Sequence, residues 1–201
     1  MKKVKIIRSP AAPWLIPNID TDIILPMSRL VSNYDETDHY AFEPYRYSDS
    51  EGKVENPEFP LNMPAYRDAK IMLCGHNFGC GSSREEATCA LADMGIECFI
   101  ASSFGSIFLR NCYQKGLLPV ILPAETVEIL AELAPGGEFE VNLETLTITA
   151  PNGDTVFFEI DPMRREMLLE GMDDVGHTLK QKVLIDGFYE KDKTARPWVY
   201  I

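Results

Sequence analysis

No stretch of this sequence approaches the roughly 18–20 consecutive apolar residues that a bilayer-spanning helix requires. Positive charge is scarce: 19 Lys and Arg stand against 31 Asp and Glu, for a formal net charge of −12. Such a surface repels phosphate backbones and anionic lipids, which argues against nucleic-acid and membrane-surface roles. Histidine occurs only at positions 39, 76 and 177, too dispersed for a local ligand motif or a sequence-adjacent hydrolase triad. The cysteines, Cys74, Cys80, Cys89, Cys98 and Cys112, are odd in number and contain no C-x-x-C pair. That argues against a disulfide framework and a self-contained zinc or iron–sulfur site, so no metal is expected on this chain. Met1–Ser9 alternates basic and apolar residues without the apolar core of a secretory signal. There is no internal repeat and no low-complexity block. A cytoplasmic globular protein is the expectation, and 45% hydrophobic with 25% charged residues over 201 positions is enough for a substantial core.

What is present reads as alternating strands and helices. Val4–Arg8 is a first strand, followed by a proline-broken stretch. Residues 33–64 form a long polar, aromatic surface excursion with one short helix near Asp38–Glu43. From Lys70 the pattern tightens: apolar runs at Lys70–Cys74, Ile96–Ala101 and Leu117–Leu122 alternate with helices at Arg84–Met94 and Ile107–Lys115, which predicts parallel βα units. Ala124–Leu133 is helical. Glu138–Leu143, Leu146–Ala150 and Thr155–Ile160 are strands, the last two joined by Asn152-Gly153, a two-residue hairpin signal. Pro162–Glu170 and Thr178–Lys191 are the last helices. The whole chain, 1–201, is expected to form a single domain with a helical C-terminal segment at about 162–191.

The densest chemical signal is GHNFGCGSSREE, Gly75–Glu86. Gly75, Gly79 and Gly81 let backbone approach a ligand closely. Ser82 and Ser83 fall where a helix N-cap belongs, and a helix N-terminus attracts anions. Arg84 adds a guanidinium suited to clamping a carboxylate. Ser82-x-x-Glu85 and Ser83-x-x-Glu86 also fit a capping box, which needs one serine and no upstream glycines. Fixed amide dipoles and an adjacent cation stabilise a serine alkoxide, so Ser82 is a candidate general base on a carbon acid. Cys80 is either a packing residue or a thiol of lowered pKa. Four of the five cysteines sit in or beside apolar segments and read as buried thiols. In the second loop, Ser102–Ser106, N-capping and core contacts from Phe104, Ile107 and Phe108 are expected. Asp20 and Asp22 cap a turn, bind a cation weakly, or orient a neighbouring histidine or arginine.

NIDTDIILP (Asn18–Pro26), NPEFPLN (Asn56–Asn62), GHNFGCGSSREEA (Gly75–Ala87), ASSFGSIFLRNCYQKGLLPV (Ala101–Val120) and DPMRREMLLEGMDDVGHTL (Asp161–Leu179) occur in this order. Together they resemble the small subunit of bacterial 3-isopropylmalate dehydratase, related to the swivelling C-terminal domain of aconitase. The resemblance implies a three-layer β/β/α swivel fold, here a parallel βα core with an appended antiparallel hairpin. It implies a heterodimer or heterotetramer with a large subunit that carries a [4Fe-4S] cluster, and no cofactor on this chain. It implies a hydro-lyase that interconverts 2-isopropylmalate and 3-isopropylmalate through 2-isopropylmaleate in leucine biosynthesis. Ser82 maps to the base; Ser83, Arg84 and Gly81 map to substrate binding. Asp22 maps to an active-site aspartate that helps orient a histidine of the partner.

Two positions depart from the family pattern. Glu86 replaces a usual histidine. Ser28-Arg29-Leu30 stands where relatives have R-F-L or Q-F-L, in a loop implied to recognise the substrate side chain. An Arg29 that reached the pocket would favour an extra carboxylate, as in a homoaconitate-type substrate; pointing to solvent, it would leave the pocket apolar. A sister hydro-lyase for methylmalate, dimethylmalate or homoaconitate, and a non-catalytic carboxylate-binding module, are the competing readings.

Overall fold

The computed structural model describes residues 1–32, 37–81 and 84–200, with 30–32 described by backbone alone. Its strands are β1 (Ile6–Trp14), β2 (Ile71–Cys74), β3 (Cys98–Ala101), β4 (Leu118–Ile121), β5 (Glu138–Asn142), β6 (Thr147–Thr149) and β7 (Thr155–Phe157), in the spatial order β4-β3-β2-β1-β5-β6-β7. Strands β1 to β4 pair in parallel, and β5 to β7 continue the sheet antiparallel. This is the α/β architecture expected: a parallel βα core with an antiparallel extension.

Strand β1 joins the two halves and is longer than the sequence suggested. Ile6–Pro10 pairs antiparallel with β5, and Ala11–Trp14 pairs parallel with β2. Each half of the strand therefore has a single paired edge, which leaves room for Pro10 and Pro13, residues that cannot donate to a ladder. Pro10 sits where the strand changes partner, and Pro13 lies within the half paired to β2.

Helices α1 (Thr21–Ile24), α2 (Met27–Ser32), α3 (Thr37–Tyr40) and α4 (Glu43–Arg46) precede β2. The single helix expected near Asp38–Glu43 is thus two one-turn helices, interrupted at Phe42, whose φ is +59°. Helix α5 (Glu85–Asp93) links β2 to β3, and α6 (Ser106–Lys115) links β3 to β4. Helix α7 (Ala124–Leu133) lies against β1, β2 and β3. The C-terminal segment folds as α8 (Pro162–Glu170), α9 (Asp174–Leu179) and α10 (Lys182–Ala195), two helices where the sequence suggested one over Thr178–Lys191.

The hairpin between β6 and β7 turns through three residues, not two. Gly153 N–H donates to the Ala150 carbonyl and Ala150 N–H to the Asp154 carbonyl, both at 2.9 Å. Gly153 alone in the loop has a positive φ, +90°, so the turn is the bulged kind rather than the mirror-image two-residue type.

An aromatic cluster binds the parallel half to the loops above it. Phe78, Phe99 and Phe108 meet with centroids 5.5–5.8 Å apart, and Phe42 bridges Phe78 to Trp14 at 6.4 and 4.9 Å. All five rings are buried. Such rings bury about 150–250 Å² each and add roughly 0.5–1.5 kcal/mol per favourable pair. No helix among the described residues is long and apolar enough to cross a membrane.

Candidate active site

Past the ends of β1, β2 and β3 the chain keeps its parallel order without regular strand geometry. Asn18 N–H donates to the His76 carbonyl (2.8 Å), Gly79 N–H to Ile19 (2.7 Å) and Thr21 N–H to Cys80 (2.9 Å). On the other side, Phe78 N–H reaches the Ser103 carbonyl (3.2 Å) and Gly105 N–H the Phe78 carbonyl (2.9 Å). The loop 76–81 is thereby held between 18–21 and 103–105, at the carboxyl ends of parallel strands where α/β proteins build ligand sites.

Packing fixes two of its glycines. A Cβ on Gly79 would stand 2.2 Å from Cγ of Phe108, and one on Gly75 would stand 2.3 Å from the Ile16 carbonyl oxygen. These residues let a phenyl ring and a neighbouring backbone come close; ligand approach, the reason expected from sequence, is not needed to explain them. Gly81 differs: its φ is +96°, and its nearest neighbour, Cβ of Asp20, is 3.3 Å from an ideal Cβ.

Helix α5 starts at Glu85, with Arg84 as its N-cap and no side-chain cap bond. The capping boxes considered for Ser82 and Ser83 fall on residues outside the described ones. Ser82 and Ser83, the expected base and substrate ligand, lie outside the described residues.

The buried Arg84 side chain is tightly placed. Its Nη2 pairs with Oδ1 of Asp22 at 2.5 Å, and its Nη1 donates to the Leu25 carbonyl at 3.0 Å. Asp22 sits in the first turn of α1, where its carboxylate also accepts the Met27 N–H. Arg84 holds the Asp22 carboxyl below the ordinary carboxylate range. Asp20 instead caps α1, accepting from Ile23 N–H at 2.8 Å. Of the roles open to the Asp20/Asp22 pair, the structure therefore places one as a cap and the other against an arginine. The Asp22 side chain is 63% exposed, so the Asp22–Arg84 pair meets solvent on its carboxylate side.

Arg29, on α2, is engaged within the chain. Its Nε donates to Glu43 at 2.8 Å, its Nη2 also pairs with Glu43 and reaches the Ser50 carbonyl at 3.2 Å, and its guanidinium lies 4.4 Å above the Tyr40 ring. Glu43 is fourteen positions away and part of no local motif, so sequence reasoning had no signal for it. Ser28 is exposed, and the Leu30 side chain falls outside the described residues.

Other expectations shift. Burial raises the Cys80 thiol, with the Asp20 charge adding to it, contrary to the lowered value considered. Ser103 receives Asn77 N–H at 2.9 Å and bonds His76 Nδ1 at 2.9 Å, so this serine braces the loop instead of capping α6, whose N-cap is Gly105. Phe108 is in the core as expected, but Ile107 is 44% exposed. Cys74, Cys98 and Cys112 are buried, and burial pushes their thiols up. Among the described residues no three His, Cys, Asp or Glu side chains gather as a metal site. A cavity of about 220 Å³ opens beside the loop's first residues, between His76, Ser102 and Glu128; Asp22 and Arg84 do not line it.

Comparison with known proteins identifies the family. Residues 1–125 match the aconitase C-terminal domain family, and 128–162 match LeuD_N. The 3-isopropylmalate dehydratase small subunit of Afipia carboxidovorans is 45% identical, over 99% of this chain and 100% of its own. That of Rhodospirillum centenum is 44% identical, over 98% of each chain. A crystal structure of 3-isopropylmalate dehydratase from Methanocaldococcus jannaschii superposes with a TM-score of 0.64 at 29% identity, covering 90% of this chain and 98% of that one. The chain belongs to the family of 3-isopropylmalate dehydratase small subunits, built on the aconitase C-terminal domain fold.

Proposed function

We propose that this chain is the small subunit of a two-subunit cytoplasmic hydro-lyase that isomerises 2-isopropylmalate to 3-isopropylmalate through 2-isopropylmaleate, a step of leucine biosynthesis. Family membership supports the activity. The observation that carries the site is the Asp22–Arg84–Leu25 anchor, which fixes a guanidinium immediately after Gly81–Ser83 and at the mouth of α5.

In this reading the substrate is a dicarboxylate. The Ser82 hydroxyl, deprotonated and stabilised by the α5 amides and the Arg84 charge, takes a proton from the carbon next to one carboxylate. The C–H electron pair becomes the second bond of the alkene as hydroxide leaves the adjacent carbon. Returning the proton and the hydroxyl to exchanged carbons gives the isomer. Ser83, Gly81 and Arg84 bind carboxylate oxygens. The large subunit is expected to supply a [4Fe-4S] cluster, whose chemistry is Lewis-acid activation of the departing hydroxyl.

Two features support these details. The Asp22–Arg84 pair is open on its carboxylate side, as a site completed by a second subunit would be. Arg29 is occupied by Glu43 and Tyr40, which favours an apolar side-chain pocket over one that reads an extra carboxylate. Co-expression with the large subunit under anaerobic conditions should give isopropylmalate isomerisation, and this chain alone should give none. Turnover by the chain alone, or a complex that prefers homoaconitate or a methylated malate, would overturn the reading.

A further inference from the structure

We infer that Asn77 is a positioning residue for the proposed proton transfer, aligning the loop that carries Ser82 through a side-chain bond to Asn18; this role rests on the reading of Ser82 as the base. Asn77 and Asn18 both take the left-handed conformation, at φ +57° and +58°. Asparagine tolerates that region better than most side chains, so the backbone alone accounts for either residue. It does not account for their contact: Asn77 Nδ2 donates to Asn18 Oδ1 at 2.9 Å, across 59 positions of sequence.

The contact lies where two segments leave the sheet side by side. Asn18 N–H donates to the His76 carbonyl at 2.8 Å, and Asn77 N–H donates to Ser103 Oγ at 2.9 Å. From Asn18 the chain runs through Asp20, the cap of α1, to Asp22. From Asn77 it runs through Gly81 and the two serines to Arg84. Asp22 and Arg84 then pair. The two segments therefore form a ring, closed at one end by the amide bond and at the other by the ion pair. Gly79 N–H to the Ile19 carbonyl and Thr21 N–H to that of Cys80 are rungs across it, at 2.7 and 2.9 Å. By chain order Ser82 falls between the last rung and Arg84.

The rungs hold the segments to each other but allow them to tilt together. The bends at Asn18 and Asn77 set the direction in which both depart. Five residues span at most about 17 Å, so a tilt of about 4° at Asn77 moves position 82 by up to about 1 Å. A misplacement of that size costs up to about 100-fold in rate. Arg84 is held separately by Asp22 and the Leu25 carbonyl, so carboxylate binding survives loss of the amide bond while alignment of the base does not. The bond is exposed, and water replaces an exposed hydrogen bond with little loss of stability.

The test uses the anaerobically reconstituted complex. N77G keeps the left-handed backbone and its N–H bond to Ser103 but removes the amide; N18G breaks the same bond from the other side. Each should assemble with the large subunit and melt within about 4 °C of wild type. Each should lower kcat about tenfold or more, with KM within about threefold. The double variant N18G/N77G should be within about twofold of the slower single one, because both substitutions remove one bond. Folded, assembled single variants with kcat within about twofold of wild type, a loss carried by KM alone, or losses that multiply in the double variant would each overturn the positioning role. S82A assayed beside them separates the two claims. Inactive S82A with fully active N77G defeats the positioning role alone; active S82A defeats the base assignment and the positioning role with it.

Discussion

Replacing Asp22 with asparagine keeps an acceptor in front of Arg84 and removes its charge. The wild-type contact is a 2.5 Å Oδ1–Nη2 pair, and the same carboxylate accepts the Met27 N–H. A hydrogen bond to a charged partner contributes roughly 1.5–3 kcal/mol when shielded. The Asp22 side chain is 63% exposed, which places the pair nearer the 0.2–1 kcal/mol of surface ion pairs. A loss of about 1 kcal/mol at neutral pH is therefore expected, equivalent to about 2–4 °C in melting temperature for a chain of this size. The loss should depend on pH in a definite direction. Arg84 depresses the folded-state pKa of Asp22, whereas the unfolded chain titrates it near 3.9. The stabilisation is complete above the unfolded value and disappears as pH falls through the lower, folded one. Urea unfolding of wild type and D22N, run in parallel from pH 7 down to about pH 3, should show a constant gap that closes only below about pH 4. A gap absent at neutral pH, or one that widens in acid, would refute the reasoning.

Three further outcomes follow from packing and charge. G79A puts a methyl carbon 2.2 Å from Phe108 Cγ at a φ of +71°, so strain and overpacking together should reduce stability by about 2–4 kcal/mol in urea melts; a loss under about 0.5 kcal/mol would contradict the packing role of that glycine. F108A, which opens the Phe78–Phe99–Phe108 cluster, should reduce stability by about 3–5 kcal/mol. R29M should leave the complex without any gain or loss of preference for tricarboxylates, whereas E43Q, which frees the Arg29 charge, should raise KM for isopropylmalate more than it lowers kcat. If R29M instead abolishes activity toward a tricarboxylate that wild type turns over, Arg29 reads substrate directly.

Sequence exposed those elements whose ends are marked by local chemistry. Helix α8 has Asp161 accepting from Arg164 N–H at its start, Pro162 in its first turn and Gly171 at φ +71° beyond its end, and its bounds match the expectation. Helix α7, opened by Pro123, does so as well. Strand β1 was half hidden because proline marks a break wherever both edges of a strand are paired, and here each half has only one. The candidate loop was legible as a place, since glycines, serines and an arginine crowd before a helix. Its glycines were not legible in purpose, because Phe108 and Ile16 reach them only through the tertiary fold. An arginine partner was among the roles open to Asp22, but the Leu25 carbonyl that Arg84 also meets, 59 positions away, and Glu43, which belongs to no motif, were hidden for the same reason.

The proposed reaction stands or falls on a proton held at position 82. In the anaerobically reconstituted complex, S82A should assemble normally and retain the Asp22–Arg84 pair, yet lose about three or more orders of magnitude in kcat. It should also fail to exchange solvent deuterium into the carbon next to the substrate carboxylate. A variant that still isomerises isopropylmalate within about tenfold of wild type, or that still exchanges that deuterium, contradicts the assignment.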